Sequence, residues 1–212
     1  MSEKNENARL ETFCDGVFAI AITLLILEIK IPPAQSISSI ADFWHKIYEE
    51  WPSWFGFTLS FGIIYISWVN HHIGLKHVTK SSPQFIYANG FLMLTVVVLP
   101  YTTELMAVYF RTPYAQPAIS LYCFTALLQN IAWNILVWTI RHTVQLTKTE
   151  AIQLKIKVTV KNMLYAMFLY AGIFILSFWF PVTAMVIITT SMITWLILGN
   201  RMHRIESKHN SD

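Results

Sequence analysis

The sequence predicts an all-α membrane protein whose helices cross the bilayer several times. Hydrophobic residues make up 55% of its 212 residues and charged residues only 13%, whereas soluble domains carry about 25% charged residues. Apolar runs of about 20 residues, the length that a helix needs to cross the hydrocarbon core, recur along the chain. A soluble core of this size cannot cover eight Trp and fourteen Phe side chains, because a short chain keeps much of its surface exposed.

The apolar runs predict six membrane-spanning helices within a single domain that covers residues 1–212. Their approximate limits are 10–29, 51–75, 83–110, 118–140, 160–180 and 182–198. Pro100 interrupts the third run and predicts a kink, because a proline inside a helix removes a hydrogen bond. Pro181 separates the last two spans and favours a new helix start, so a short turn should hold these spans as an antiparallel hairpin.

The segment between the first two spans, residues 31–50, is too polar to cross a membrane. Ser39 followed by Asp42 is typical of a helix N-terminus, and Trp44 suits the headgroup region. We therefore expect a short helix that lies in the membrane interface.

Basic residues are distributed unequally between the two sides of the predicted bundle. Lys30, Lys46 and Arg111 fall on one side, and the remainder of the 15 lysines and arginines fall on the other. Lysine and arginine are enriched in cytoplasmic loops, so we expect both termini in the cytoplasm. Because these residues are spread over separate loops, the net charge of +3 indicates membrane topology and not nucleic-acid binding.

Several other chemistries lack their motifs in this sequence. Cys14 and Cys123 lie inside apolar runs, which argues against a disulfide framework and a cysteine-based metal site. The hydrolase motifs G-x-S-x-G and H-E-x-x-H are missing, as are the T-V-G-Y-G filter and the arginine-rich fourth span of voltage-gated channels. We expect no enzymatic activity, no cofactor and no metal site. The alternative is a proton- or cation-coupled secondary transporter, although only Pro100 suggests the broken helices of that class.

The first span begins with charged residues, which are costly at a membrane unless they are paired or hydrated. On a helical wheel, one face of this span carries Arg9, Phe13, Gly16, Ile20, Thr23, Leu24 and Leu27. Asp15 points to the opposite side and should face its own subunit, where it needs a hydrogen-bond donor. Both faces are equally apolar, so periodicity does not choose between them. The simplest interpretation of the Thr23 hydroxyl is a bond to a carbonyl one turn earlier.

Residues 9–16, R-L-E-T-F-C-D-G, resemble the R-x-x-x-F-S-D-G signature of the lysosomal and endosomal transmembrane potassium channels and their prokaryotic relatives. The sequence S-W-V-N-H-H, which contains Trp68, His71 and His72, resembles the W-x-x-H-H element of that family. Cys14 stands where the signature has serine, so a good hydroxyl donor is lost there. The single set of spans resembles the prokaryotic members.

The resemblance implies a cation channel with a modest preference for potassium, assembled as a homotetramer in the lipid bilayer of a prokaryotic plasma membrane. In that arrangement, the first helix of each subunit lines a central pore. Ile20 begins a hydrophobic constriction that gates by excluding water. Thr23 or Leu24, and then Leu27, form the next layers. Potassium and other monovalent cations are the expected permeant ions.

The resemblance also gives the motif residues a structural role, which is to fix the rotation of the first helix against the second. These residues are Arg9, Phe13, Cys14, Asp15 and Gly16. The expected partners of Asp15 are Trp68, His71 and His72, because indole and imidazole N–H groups donate to carboxylates.

Some polar residues have both a structural and a functional interpretation. His71 and His72 suit hydrogen bonding better than pH sensing, and joint metal binding is disfavoured because helical neighbours point about 100° apart. Glu104 is expected at the membrane interface rather than in an ion site. Asn130 and Asn134 lie on one face of the fourth span and are expected to join helices.

Overall fold

The computed structural model of the chain is almost entirely helical over the residues that it describes, which are 7–75, 78–143, 145–146 and 150–209. Side chains are described at residues 7–75, 78, 81–142 and 161–197. The helices are, in order, α1 Ala8–Leu24, α2 Ile40–Glu49, α3 Trp51–Leu75, α4 Pro83–Tyr109, α5 Ala115–Thr143, α6 Glu150–Leu176 and α7 Pro181–His209. Short 3-10 helices follow α1 at Leu25–Glu28 and Ala34–Ser36.

The long helices α1 and α3 to α7 overlap the six predicted spans, and α2 lies in the segment for which a short interfacial helix was predicted. Among the described residues, three helices are long and apolar enough to cross a membrane, namely Ala8–Glu28, Pro83–Tyr109 and Ala115–His142. Shorter apolar stretches belong to α6 and α7, and α3 has a spanning length of 25 residues. The predicted all-α, polytopic membrane fold is confirmed.

A small β pairing joins two of the loops and was not predicted from the sequence. β1, Val78–Lys80, pairs antiparallel with β2, Gln145–Leu146. Strands this short carry no readable alternation of apolar and polar residues. The pairing brings the α3–α4 and α5–α6 connections together at one end of the bundle.

Local sequence explains where several helices begin. The Ser39 hydroxyl accepts a hydrogen bond from the backbone N–H of Asp42 at 3.1 Å, and Ser82 caps α4 in the same way. Such serine caps satisfy N–H groups that have no partner in the first turn. Pro83 and Pro181 occupy first helical positions, where their missing N–H costs nothing.

α4 continues through Pro100, which is buried inside the helix. One turn further on, the Thr103 hydroxyl donates to the carbonyl oxygen of Leu99 at 2.7 Å and lies 2.7 Å from the hydroxyl of Ser60 on α3. The Ser60 contact joins this region of α4 to α3, and α4 is continuous through the proline. The kink at Pro100 stays a prediction.

The core of the bundle lies around α4, which packs against α1, α3 and α5. α1 contributes one face to this core, formed by Cys14, Phe18, Ala21 and Leu25. Their spacing of three or four residues keeps these side chains on one side of the helix. In a bilayer, helix association is driven by van der Waals packing and interhelical hydrogen bonds and not by transfer from water, so the close packing of this face holds α1 in the protomer.

Polar contacts join elements at both ends of the bundle. At one end, the side-chain amide of Asn7 donates to the carbonyl oxygen of Val78 at 2.8 Å. At the other end, the Lys30 ammonium lies 2.7 Å from a carboxylate oxygen of Glu104, and this hydrogen bond raises the pKa of Lys30. Farther along, Asn134 on α5 donates to the carbonyl oxygen of Met163 on α6 at 3.3 Å. The predicted helix-joining role is therefore confirmed for Asn134.

Candidate functional site

One face of α1 and of the 3-10 turn after it is exposed in the protomer. The exposed fractions are 60% for Ile20, 40% for Leu24 and 66% for Leu27, against 1% for Phe18 and 0% for Leu25 on the opposite side. We call this surface the uncovered face; it consists of Phe13, Gly16, Ile20, Thr23, Leu24 and Leu27. An exposed apolar stripe of this kind marks a surface that contacts lipid or another protein. This exposed face is the same one that the helical wheel of the first span assigned to a single side.

Thr23 lies in the middle of the uncovered face and is exposed. Its hydroxyl donates to the carbonyl oxygen of Ile20 at 2.9 Å, so the proton is satisfied within the helix. A hydroxyl oxygen also accepts through its lone pairs. The structural interpretation from the sequence and a role at a pore surface are therefore compatible, because the same oxygen remains free to meet an ion.

The 3-10 turn at Leu25–Glu28 sets the direction of the outermost side chains. In a 3-10 helix, residues three apart lie in line along the axis. Leu24 and Leu27 therefore stand in one row and extend the stripe that begins at Ile20.

Behind the uncovered face, α1 is anchored to α3 by Asp15. The indole N–H of Trp68 donates to a carboxylate oxygen of Asp15 at 2.9 Å, which confirms the predicted contact between the two motif elements. Next to it, Nδ1 of His72 lies 3.4 Å from a carboxylate oxygen of Glu11. The Trp68 and His72 rings stack at a centroid distance of 5.8 Å. Glu11 is one of the charged residues at the start of the first span, but no partner was predicted for it from the sequence.

His71 takes a different partner from the one predicted. Its Nε2 lies 2.7 Å from the side-chain oxygen of Asn89 on α4, and its ring packs against Phe18 at 5.4 Å between centroids. The reason is geometric, since neighbouring residues on a helix point about 100° apart. The His72 ring is directed at Glu11 of α1, whereas the His71 ring lies in the core, where it contacts both Phe18 of α1 and Asn89 of α4. Asn89 was missed by the sequence analysis, and a lone amide within an apolar run was the only signal for it.

The remaining motif residues divide between the two faces of α1. Cys14 is fully buried in the core, where a thiol behaves as a small apolar group. Arg9 and Gly16 are exposed, and a Cβ added at Gly16 meets nothing within 4 Å. Packing inside the protomer therefore does not require a glycine at this position. The anchoring roles predicted for Arg9, Phe13 and Gly16 stay predictions.

The comparisons with known proteins find ion channels. The family model described as endosomal/lysosomal potassium channel TMEM175 matches residues 9–100. A potassium channel of Chamaesiphon minutus is 40% identical over 132 residues, which are 62% of this chain and 64% of that protein. A potassium channel of Streptomyces collinus is 36% identical over 140 residues, 66% of each protein. The matched segment thus spans slightly less than two thirds of both relatives.

The structural comparison extends further along the chain. The crystal structure of a lysosomal potassium-selective channel TMEM175 homolog from Chamaesiphon minutus superposes with a TM-score of 0.81 at 32% identity. The superposition covers 93% of this chain and 100% of that one. Both motif elements, residues 9–16 and 67–72, lie inside the segment that the family model matches. The chain belongs to the TMEM175 family.

Proposed function

We propose that the chain is a cation channel with a modest preference for potassium, located in a prokaryotic plasma membrane with both termini in the cytoplasm. The observation that carries this proposal is the uncovered face, an apolar stripe with a hydroxyl at its centre. Membership of a family of channels and relatives named as potassium channels support it. They also agree with the prediction from the sequence that the protein is not an enzyme.

The uncovered face has a simple explanation in a homotetramer. A single protomer encloses no pore with this face, since Ile20 and Leu27 point away from its own core. Four copies placed around an axis with α1 innermost would surround a tube lined by these side chains. Gly16 and Ala19 are exposed near the base of the stripe, and small residues allow membrane helices to approach closely.

In this arrangement the pore is gated by a ring of Ile20 side chains. A narrow apolar ring excludes water and closes the pore when the helices are near the axis. When the helices move apart, a cation passes after losing part of its hydration shell, and potassium holds that shell less tightly than sodium. The Thr23 oxygens follow about one turn later and offer polar contacts to the partly dehydrated ion. The Trp68–Asp15 hydrogen bond sets which side chains face the axis.

The proposal is tested by ion flux into liposomes that contain the purified protein. Ile20→Asn should wet the constriction, raise potassium flux and reduce discrimination against sodium. Ile193→Asn is the matched control, because Ile193 is also an exposed isoleucine in a spanning helix but lies on α7. Unchanged flux through correctly folded Ile20→Asn protein would remove Ile20 from the ion path.

The same liposomes separate a channel from a coupled transporter. A channel carries potassium only down its electrochemical gradient. We therefore expect no accumulation of potassium against its gradient when a proton gradient is imposed. Uphill uptake that collapses together with the proton gradient would favour the transporter.

A further inference from the structure

Three metal-ligating side chains meet where α1 begins to pack on α3. Glu11 and Asp15 of α1 and His72 of α3 each offer one ligand atom, and these atoms lie within 4.8 Å of one another. We propose that they form a binding site for a divalent transition-metal ion of the Zn²⁺ class, which links the base of α1 to α3. This inference is independent of ion conduction by the protein.

The donor set matches the chemistry of such an ion. Imidazole nitrogen and carboxylate oxygen are regular zinc ligands, and three protein ligands leave a fourth position for water. Two adjacent ligands of a tetrahedral ion with bonds of about 2.1 Å are about 3.4 Å apart. Nδ1 of His72 and the nearer oxygen of Glu11 are separated by 3.4 Å. With His72 neutral, the two carboxylates also balance the charge of a divalent cation.

The surroundings already orient two of the three ligands. Trp68 donates to Asp15 at 2.9 Å and stacks on the His72 ring, so one residue supports both. Outer contacts of this kind fix the direction of metal ligands and raise their affinity. Nδ1 of His72 is buried and makes no hydrogen bond to the described residues, but it faces the Glu11 carboxylate oxygen at 3.4 Å. An imidazole nitrogen that makes no hydrogen bond and lies close to two carboxylates is suited to bind a cation.

A proton on His72 is the competing explanation. A protonated imidazole would form an ion pair with Glu11, but this pair does not use Asp15. The chain contains a matched pair of that simpler kind on α2, where His45 lies 3.5 Å from Glu49. No third ligand joins that pair in the part of the chain that the structure describes. His45 is therefore the natural control for binding at His72.

Isothermal titration of the purified, EDTA-treated full-length protein with zinc chloride tests the proposal. We expect one Zn²⁺ per chain in the wild type and in His45→Gln. Glu11→Gln and His72→Gln should each weaken binding at least tenfold, and Trp68→Phe should weaken it by about 10- to 100-fold, as loss of an outer-shell contact does elsewhere. Failure of the wild type to bind at millimolar Zn²⁺, or unchanged affinity in Glu11→Gln and His72→Gln, would overturn the site.

A second variant covers the case in which these substitutions prevent folding. His72→Cys keeps a metal ligand at the position and supplies a thiolate. With Co²⁺ as the probe, a thiolate ligand produces a charge-transfer absorption band that the wild type does not show. The band should disappear when Glu11→Gln is added to His72→Cys. Co²⁺ binding without the band would place the ion elsewhere and refute the proposal.

Discussion

At the scale of single residues, Asp15 and Trp68 join α1 to α3, and we propose that this contact fixes the rotation of α1. A carboxylate at the edge of a membrane is costly unless it is paired or hydrated, and the indole N–H supplies a donor at 2.9 Å. Hydrogen bonds to a charged group are stronger than those between neutral groups. The pair therefore favours the one orientation of α1 that keeps Phe18 inside and Ile20 outside the protomer.

Asp15→Asn should lower thermal stability more than it changes ion preference. The amide keeps the shape of the side chain but turns a charged acceptor into a neutral one, with an expected loss of about 1–2 kcal/mol. Thermal unfolding in detergent and the potassium-to-sodium flux ratio measure the two effects. Glu49→Gln serves as the control for loss of a carboxylate, because the Glu49 side chain is 51% exposed and makes only a surface pair with His45, and such pairs contribute little to stability. A fully stable Asp15→Asn protein with altered selectivity would place Asp15 in the ion path.

The residue scale also shows what sequence alone could provide. The Trp68 contact was predictable, because the donor and the acceptor each belong to a motif. The His71–Asn89 contact was not, since nothing in an apolar run states which helix a given side of α3 will face. The burial of Cys14 was not predictable for a similar reason. Its place in the core depends on a rotation that both apolar faces of α1 allowed.

At the scale of elements, α1 is the only helix whose two faces the sequence analysis compared, and the structure distinguishes them by burial. Phe18 is 1% exposed and Phe13 is 60% exposed, although both are phenylalanines of the same helix. The six apolar runs were readable because a spanning helix needs length and apolarity alone. The choice of face required knowledge of the partners on α3 and α4.

The two phenylalanines give a matched test of these faces. Phe18→Ala should cost about 3 kcal/mol, the lower end of the range for a buried Phe, because lipid rather than water receives the helix when packing is lost. Phe13→Ala should leave protomer stability nearly unchanged. Unfolding of both variants in the same detergent checks the difference. Equal losses would mean that the Phe13 face is also packed within the protomer.

α2 should respond to acid. The backbone N–H of Ser38 donates to Asp42 at 2.8 Å, and this bond, with help from Lys46, lowers the pKa of the Asp42 carboxyl. Because the pKa of Asp42 is lower in the folded form, the ionised carboxylate stabilises α2 at pH values above the pKa of an unfolded Asp, which is about 3.9. This stabilisation is lost as the pH falls through the pKa of Asp42 in the folded form. The rate of amide hydrogen exchange at the start of α2, corrected for the intrinsic rate, should therefore rise as the pH falls through the pKa of Asp42 in the folded form. Asp42→Asn should remove the dependence, and a rise that persists in this variant would contradict the assignment.

At the scale of the whole molecule, the protomer exposes apolar side chains on each of its long helices, and the stripe on α1 is one of these surfaces. Its core lies around α4, while the uncovered face of α1 has no cover from its own chain in the described residues. Oligomeric state does not follow from hydropathy, because lipid and a neighbouring subunit both accept an apolar stripe. The proposed homotetramer therefore needs a test of its own.

Gly16 provides that test. Its surroundings in the protomer are open, and the same is true of Gly172 on α6. Replacing a helical glycine by leucine favours the helix by up to about 1 kcal/mol, so neither substitution should harm the protomer. Gly16→Leu should break the tetramer and Gly172→Leu should preserve it, as measured by native mass spectrometry or crosslinking. A tetramer that survives Gly16→Leu would mean that this part of α1 does not meet another copy.

The short 3-10 turn after α1 has a mechanical consequence for the outer end of the stripe. Rewinding four residues, Leu25–Glu28, from three residues per turn to 3.6 would shorten the segment by about 2 Å and swing its far end by about 80°. Leu27 would then leave its row while Ile20 stayed in place. A local screw motion at the mouth can thus change the outermost layer without tilting the rest of the helix.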